Sequence, residues 1–313
     1  MKSLLIKNRC RKHRVVCLAL ALFSLLCLTS AKTPAQTKPT GGAAVVKSHS
    51  RFARLEGMRV RYLDAGRGDE ALVFIHGWTC SADFWRRQTS AFKDARVIAL
   101  DLPGHGESDK PQIAYTMDLF ARAVAVVLQD AGVRRAVLIG HSMGTPVARQ
   151  FYRLYPDKML ALVIVDGALR PFAPREAMLE FIKPLRGDDY QVRAGSFVDG
   201  MLHKETPAEL RREIKSAMLA TPQHVAISAM EGMSDDAIWK PDQINVPTLA
   251  VLARSPFWPP DNESRYRAIA PKLEYHMWDG VSHFLMMEQP EKFNQTLRAF
   301  IERNKLIKQY QKG

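Results

Sequence analysis

Ala136-Val137-Leu138-Ile139-Gly140-His141-Ser142-Met143-Gly144 passes from a short aliphatic run into a serine set between glycines. Such a run reads as a strand buried on both faces, and the stretch from about Met143 to Leu154 reads as a helix. A Gly-x-Ser-x-Gly turn in that context is a sharp elbow that holds the serine at strained backbone angles with its side chain exposed. Glycines on either side remove Cβ atoms that would collide there. The Ser142 hydroxyl then lies at the start of a helix, whose free N–H groups favour developing negative charge. Pro146 falls in the first helical turn, where no intrahelical donor is lost. Ser142 is therefore the candidate nucleophile, against the plainer reading of a Gly-rich turn with an incidental serine.

Outward from this turn, strand-like and helix-like stretches alternate. Arg51–Leu55 and Met58–Leu63 flank Glu56-Gly57 as a hairpin, and Ala71–Ile75, Arg96–Leu100, Ala161–Val165, Thr248–Leu252 and Leu273–Trp278 are short apolar strands. Thr116 can cap a helix running to Asp130, another spans Glu263–Ile269, and a last one opens at Pro290 with Phe293, Leu297, Phe300 and Ile301 on one face. The pattern predicts an α/β fold with a mostly parallel sheet covered by helices on both faces. The interval from Val165 to Thr248 is far longer than an ordinary connection. Its segments Ala177–Ile182, Tyr190–Leu202, Pro207–Leu219 and Gln223–Met233 are Pro-punctuated and rich in Ala, Glu, Leu and Met, which predicts a helical subdomain inserted after the sixth strand.

A serine nucleophile needs a base, and histidine has the pKa for it. Of the nine histidines, His283 lies in Asp279-Gly280-Val281-Ser282-His283-Phe284, between the last strand and the last helix. A loop at a strand's C-terminal end is where an α/β enzyme places its chemistry, so His283 is the candidate base. No His/Cys/Asp/Glu cluster has ligand spacing and no phosphate-binding glycine motif occurs, so neither metal nor cofactor is expected. Methionines at 178, 201, 218, 230 and 233, with Met286 and Met287, are suited to lining an apolar pocket, and equally to ordinary core packing.

The chain has 313 residues and a net charge of +13, with 45 basic against 32 acidic residues. Six of the bases and no acid fall in residues 1–31, which leaves 39 against 32, spread without a stripe. A nucleic-acid partner is therefore not expected. Those 31 residues run from a basic segment through the apolar Val15–Leu28 to Thr29-Ser30-Ala31, the pattern of a cleaved secretory signal. The apolar run is too short for a stable membrane span, so export to a periplasm or the exterior is expected. Three of the four cysteines would leave with the signal, and Cys80 alone cannot form an internal disulfide. The expected organisation is a signal over 1–31, a flexible leader over 32–50, a core over 51–167 and 241–313, and a helical lid over 168–240.

The set His76-Gly77-Trp78, Asp101 to Ser108 (DLPGHGES), Gly140 to Gly144 and Gly280-Val281-Ser282-His283 resembles the α/β-hydrolase superfamily. Within it the chain is similar to lid-bearing serine hydrolases typified by small esterases and meta-cleavage-product hydrolases, from about Arg51 to Ile301. The resemblance implies a triad in the chain order Ser, acid, His, and an oxyanion hole from the backbone N–H groups of Trp78 and Met143. It also implies that His76 and the Asp101–Ser108 turn are structural. The acid departs from the family pattern, because the stretch after the seventh strand, Leu252 to Trp258, holds no carboxylate. Asp166, ending the sixth strand, and Asp261, after Pro259-Pro260, remain; position favours Asp166. The expected activity is cleavage of a small or medium carboxylic ester through an acyl-enzyme on Ser142. The serine argues against the dehalogenase and epoxide hydrolase relatives that carry Asp there. The alternative is a slow or non-catalytic ligand-binding protein on the same scaffold.

Overall fold

Eight strands, β1 (His49–Leu55), β2 (Met58–Ala65), β3 (Glu70–Ile75), β4 (Val97–Leu100), β5 (Arg135–His141), β6 (Met159–Val165), β7 (Thr248–Ala253) and β8 (Leu273–Trp278), form one sheet in the order β1-β2-β4-β3-β5-β6-β7-β8. The computed structural model describes residues 48–308, so the expected signal and nearly all of the expected leader lie outside the described residues. β1 opens at His49, two residues before the expected start. The β1–β2 and β2–β4 pairs are antiparallel and the other five pairs parallel. β3 and β7 are buried along their whole lengths, as continuous apolar strands of a covered sheet should be.

Helices α1 (Arg86–Thr89), α2 (Met117–Asp130) and α3 (Gly144–Leu154) follow the early strands. Thr116 caps α2 by accepting the Leu119 N–H at 3.1 Å, a contact worth about 1 kcal/mol. Between β6 and β7 lie α4 (Arg175–Ile182), α5 (Tyr190–Gly200), α6 (Ala208–Leu219) and α7 (Gln223–Met233). α8 (Asn262–Ile269), α9 (Leu285–Glu288) and α10 (Pro290–Arg303) complete the chain. Phe293, Leu297, Phe300 and Ile301 of α10 are buried, each contributing about 1.5–3 kcal/mol by leaving water. α1 and α9 are single turns, too short to leave a periodic signal in the sequence.

Parallel register brings the strand ends to one edge. Ile75 pairs with Gly140, His141 with Val165, and Val165 with Val251. The segments leaving β3, β5, β6, β7 and β8 therefore emerge side by side, at the crevice where such sheets carry their chemistry. Among the described residues no group of three or more His, Cys, Asp or Glu side chains is placed to hold a metal. No helix among them is long and apolar enough to cross a membrane.

Behind that edge, Asp101 and two histidines knit the loops. Asp101 is fully buried, accepting Arg61 Nη1 at 3.1 Å, the Ala82 N–H at 2.7 Å and the Glu107 N–H at 2.9 Å. His76 donates from Nδ1 to the Gly77 carbonyl at 2.8 Å and accepts the Leu102 N–H at 3.0 Å. Burial lowers the His76 pKa to about 4. Burial, helped by the nearby His76, lowers that of His105 to about 3. Both pKa values lie below the unfolded value of about 6.5, so above pH 6.5 both states are neutral and full stability is present. As pH falls from 6.5 toward 4 the unfolded chain takes up protons that the folded chain refuses, costing about 1.4 kcal/mol per pH unit for each histidine. The melting temperature is expected to drop steadily between pH 6.5 and 4.5; a flat profile by calorimetry across that window contradicts the buried neutral histidines.

Candidate active site

Ser142 has φ +51°, a left-handed conformation that a non-glycine residue adopts only when its surroundings enforce it. Its N–H donates to Val165 O at 3.0 Å, and its carbonyl accepts the Thr145 N–H at 3.0 Å. A Cβ on Gly144 would lie 2.4 Å from the Ile75 carbonyl oxygen, and one on Gly140 would lie 2.4 Å from that of Gly144. The turn closes so tightly that both flanking positions require glycine. Ser142 thus sits between β5 and α3 at the sheet edge.

His283 and Asp166 meet there. The Nδ1 of His283 lies 2.6 Å from Oδ2 of Asp166, and Oδ1 of Asp166 accepts the Ala253 N–H at 2.8 Å. Asp166 is buried and has φ +41°. An ionised carboxylate only accepts, so Nδ1 carries the proton and Nε2 is left with its lone pair. Asp261 stands apart: it is exposed, precedes α8 as its N-cap residue and pairs with Arg265 at 2.7 Å, whose hydrogen bond holds its carboxyl below the ordinary range. Arg254, just past β7, pairs with Asp279.

Trp78 and Met143 are both buried. Among the described residues neither backbone N–H has a hydrogen-bond partner, an uncommon state for buried donors. The Trp78 indole is fixed by its Nε1–H to the Ala226 carbonyl at 2.7 Å. Cys80 beside it is buried, and burial pushes its thiol pKa up, so it is not a nucleophile. Among the described residues the Ser142 hydroxyl makes no hydrogen bond, so its contact with His283 is open. Such contacts often close only around substrate.

Several residues that sequence reasoning did not single out as functional support the His283 loop and the exit from β6. His141 donates from Nε2 to the His283 carbonyl at 2.8 Å, and burial next to His283 drives its pKa well down. The His283 N–H reaches the Met201 carbonyl at 3.3 Å. Glu288 accepts the Ser282 N–H at 2.6 Å and a hydrogen bond from the Thr206 hydroxyl. Arg149 of α3 is buried, donates to the carbonyls of Leu169, at 2.8 Å, and Lys240, and has its pKa lowered to about 10 by that burial. Of the methionines singled out, Met218, Met230, Met286 and Met287 are core residues, and Met178, Met201 and Met233 are half-buried.

Known proteins resemble this chain. A family model described as the alpha/beta hydrolase fold matches residues 70–200. A 2-hydroxy-6-oxononadienedioate/2-hydroxy-6-oxononatrienedioate hydrolase of Paraburkholderia phymatum is 32% identical over 267 residues, 78% of this chain and 91% of that one. The solved structure of an N-acyl homoserine lactone degrading enzyme superposes with a TM-score of 0.69 at 26% identity, covering 80% of this chain and all of the other. A thermophilic esterase from Thermogutta terrifontis superposes at 0.71 and 23% identity, over 82% of this chain and 99% of the other, a likeness of fold.

The site's tightest contact is testable. A Cβ on Gly167 would lie 2.0 Å from Thr145 Oγ1 and 2.8 Å from the Ser142 carbonyl oxygen, whereas one on Gly200 meets nothing within 4 Å. Overpacking of that kind costs about 1–3 kcal/mol. Gly167→Ala is expected to lower the melting temperature by roughly 2–12 °C, with Gly200→Ala unchanged or slightly higher. Equal melting curves for the two variants would contradict the packing described.

Proposed function

The chain belongs to the α/β-hydrolase family and is a hydrolase, and from this we propose that it cleaves a small or medium carboxylic ester through an acyl-enzyme on Ser142. The observation that carries the reading is the Asp166–His283 hydrogen bond of 2.6 Å at the strand edge that also bears the strained Ser142. With Nδ1–H held by Asp166, His283 Nε2 takes the Ser142 proton as Oγ attacks the ester carbonyl. The carbonyl π pair moves to oxygen, which the unpaired N–H groups of Trp78 and Met143 receive, each worth about 3 kcal/mol in such a role. Collapse of the tetrahedral intermediate expels the alcohol, which takes the proton from His283. Water then repeats the sequence on the acyl-enzyme, releasing the acid and restoring Ser142.

Asp166 is the proposed acid of the triad, and Asp261 is set aside because its carboxylate is engaged with Arg265 in solvent. The helices between β6 and β7 are proposed as a lid, since the Trp78 indole bonds to Ala226 on α7 and His283 bonds to Met201 just past α5. Likeness to the lactone-degrading structure at 26% identity brings cyclic esters within the substrate class. Export through residues 1–31 completes the proposal and rests on the sequence pattern alone. The open contact at Ser142 is what a ligand-binding protein on this scaffold would have, and labelling distinguishes the two.

A fluorophosphonate is expected to label Ser142 stoichiometrically in the chain from Lys32 onward, read by peptide mass spectrometry, and His283→Ala to abolish labelling. A folded wild-type protein that stays unlabelled sinks the acyl-enzyme. Asp166→Asn is expected to lower kcat on an ester by roughly 10⁴ by leaving the wrong imidazole tautomer. Asp261→Asn, losing only a solvent-exposed ion pair with Arg265, is expected to stay within twofold. Comparable rates for the two variants would remove Asp166 from the triad.

A further inference from the structure

Helix α5 touches both sides of the site. Phe197 packs edge-on against the Trp78 indole with ring centroids 5.5 Å apart. Four residues on, at the helix C-cap, the carbonyl of Met201 accepts the His283 N–H at 3.3 Å. The C-terminal end of α5 therefore links the loop of the proposed oxyanion donor, through the Phe197 ring, to the proposed base, through the Met201 carbonyl. Phe197 also packs edge-on against Phe181 at 5.3 Å, and Phe181 is 47% exposed. An apolar path therefore leads from Trp78 through Phe197 to the surface, where Leu179 is exposed as well.

The chemistry assigns the two contacts. In acyl transfer the leaving group receives its proton from the histidine, while the acyl group stays bonded to the serine with its oxygen in the oxyanion hole. The His283 end, at Met201, is then the leaving-group side, and the Trp78 end, at Phe197, is the acyl side. Among the described residues no Lys or Arg side chain hydrogen-bonds or stacks on Trp78, Phe197, Met201 or His283. None of these four residues brings a cation to a second carboxylate on the acyl chain, and burying one unpaired is costly. The Trp78 ring, pinned to Ala226, is a fixed wall against which an apolar chain can pack.

We propose that α5 roofs the Ser142 pocket and that Phe197 is its specificity-determining residue, selecting esters whose acyl group is a neutral apolar chain or ring. The proposal rests on the serine-hydrolase reading of Ser142 and names its substrate class.

The test compares p-nitrophenyl acetate with p-nitrophenyl octanoate, which share a leaving group and differ only in the acyl chain. In Phe197→Ala, kcat/KM for the octanoate is expected to fall at least tenfold, in the range of lost pocket contacts, and that for the acetate by less than about threefold, the scale of a contact it does not make. Phe197→Leu, which keeps an apolar side chain, is expected to recover most of the octanoate rate and guards against a folding defect in the alanine variant. Fluorophosphonate labelling of Ser142 is expected to persist in both. Equal losses on the two esters, no loss on either, or no recovery in the leucine variant overturns the role of Phe197 while labelling keeps the hydrolase reading. A wild-type enzyme that neither labels nor turns over either ester overturns that reading and this proposal together.

Discussion

Asp166 receives the His283 Nδ1–H on one carboxylate oxygen and the Ala253 N–H on the other, from a left-handed backbone conformation at the end of β6. Each part of that arrangement depends on another. The strained φ is tolerable because the Asp166 N–H donates to Val251 O and the chain beyond is gripped by Tyr266, whose hydroxyl donates to Gly167 O at 2.8 Å. Gly167 lets the segment lie against Thr145 at the start of α3. The carboxylate's two partners come from the end of β7 and the loop after β8, so their placement follows from parallel register. A site built this way cannot shift one member without moving the sheet edge.

The β6–β7 insertion is bound into the same edge. Arg149 reaches from α3 to the carbonyls of Leu169 and Lys240, the residues through which the chain leaves for the insertion and returns. A buried guanidinium without a carboxylate partner is costly unless its donors are used; these two carbonyls take Nη1 and Nη2, while Nε has no partner among the described residues. Thr206 and Met201 of the insertion reach Glu288 and His283 on the other side. Displacing the stems of the insertion would break the Arg149 contacts, which start from the helix that follows the Ser142 turn.

Most of the sheet was legible because buried parallel strands leave continuous apolar runs, and β3, β6, β7 and β8 lie within two residues of expectation. The insertion's helices were legible from proline punctuation. Single-turn helices such as α1 and α9 were not, since four residues carry no period. Ser142 and His283 stood out because a strained turn and a post-strand loop leave local signals. Glu288, Arg149 and Phe197 did not: each meets a residue far off in the chain, Thr206, Lys240 and Trp78 respectively, and nothing local marks an arginine that will be buried or a phenylalanine that will face Trp78.

The carboxylate question shows how far sequence position can carry an argument. Asp166 and Asp261 both lie near strand ends in the chain, and family spacing places neither where an acid is usual. What separates them is the strand order: β6 lies between β5, which leads to Ser142, and β7, so a side chain at its end is within one strand spacing of both. Asp261 instead follows two prolines into solvent and stands at the N-cap of α8. The end of β7, where the usual acid would stand, contributes the Ala253 N–H to Asp166 in its place. On the proposed assignment, sheet geometry lets the acid stand at the end of β6, because β7 beside it supplies a hydrogen bond to the carboxylate.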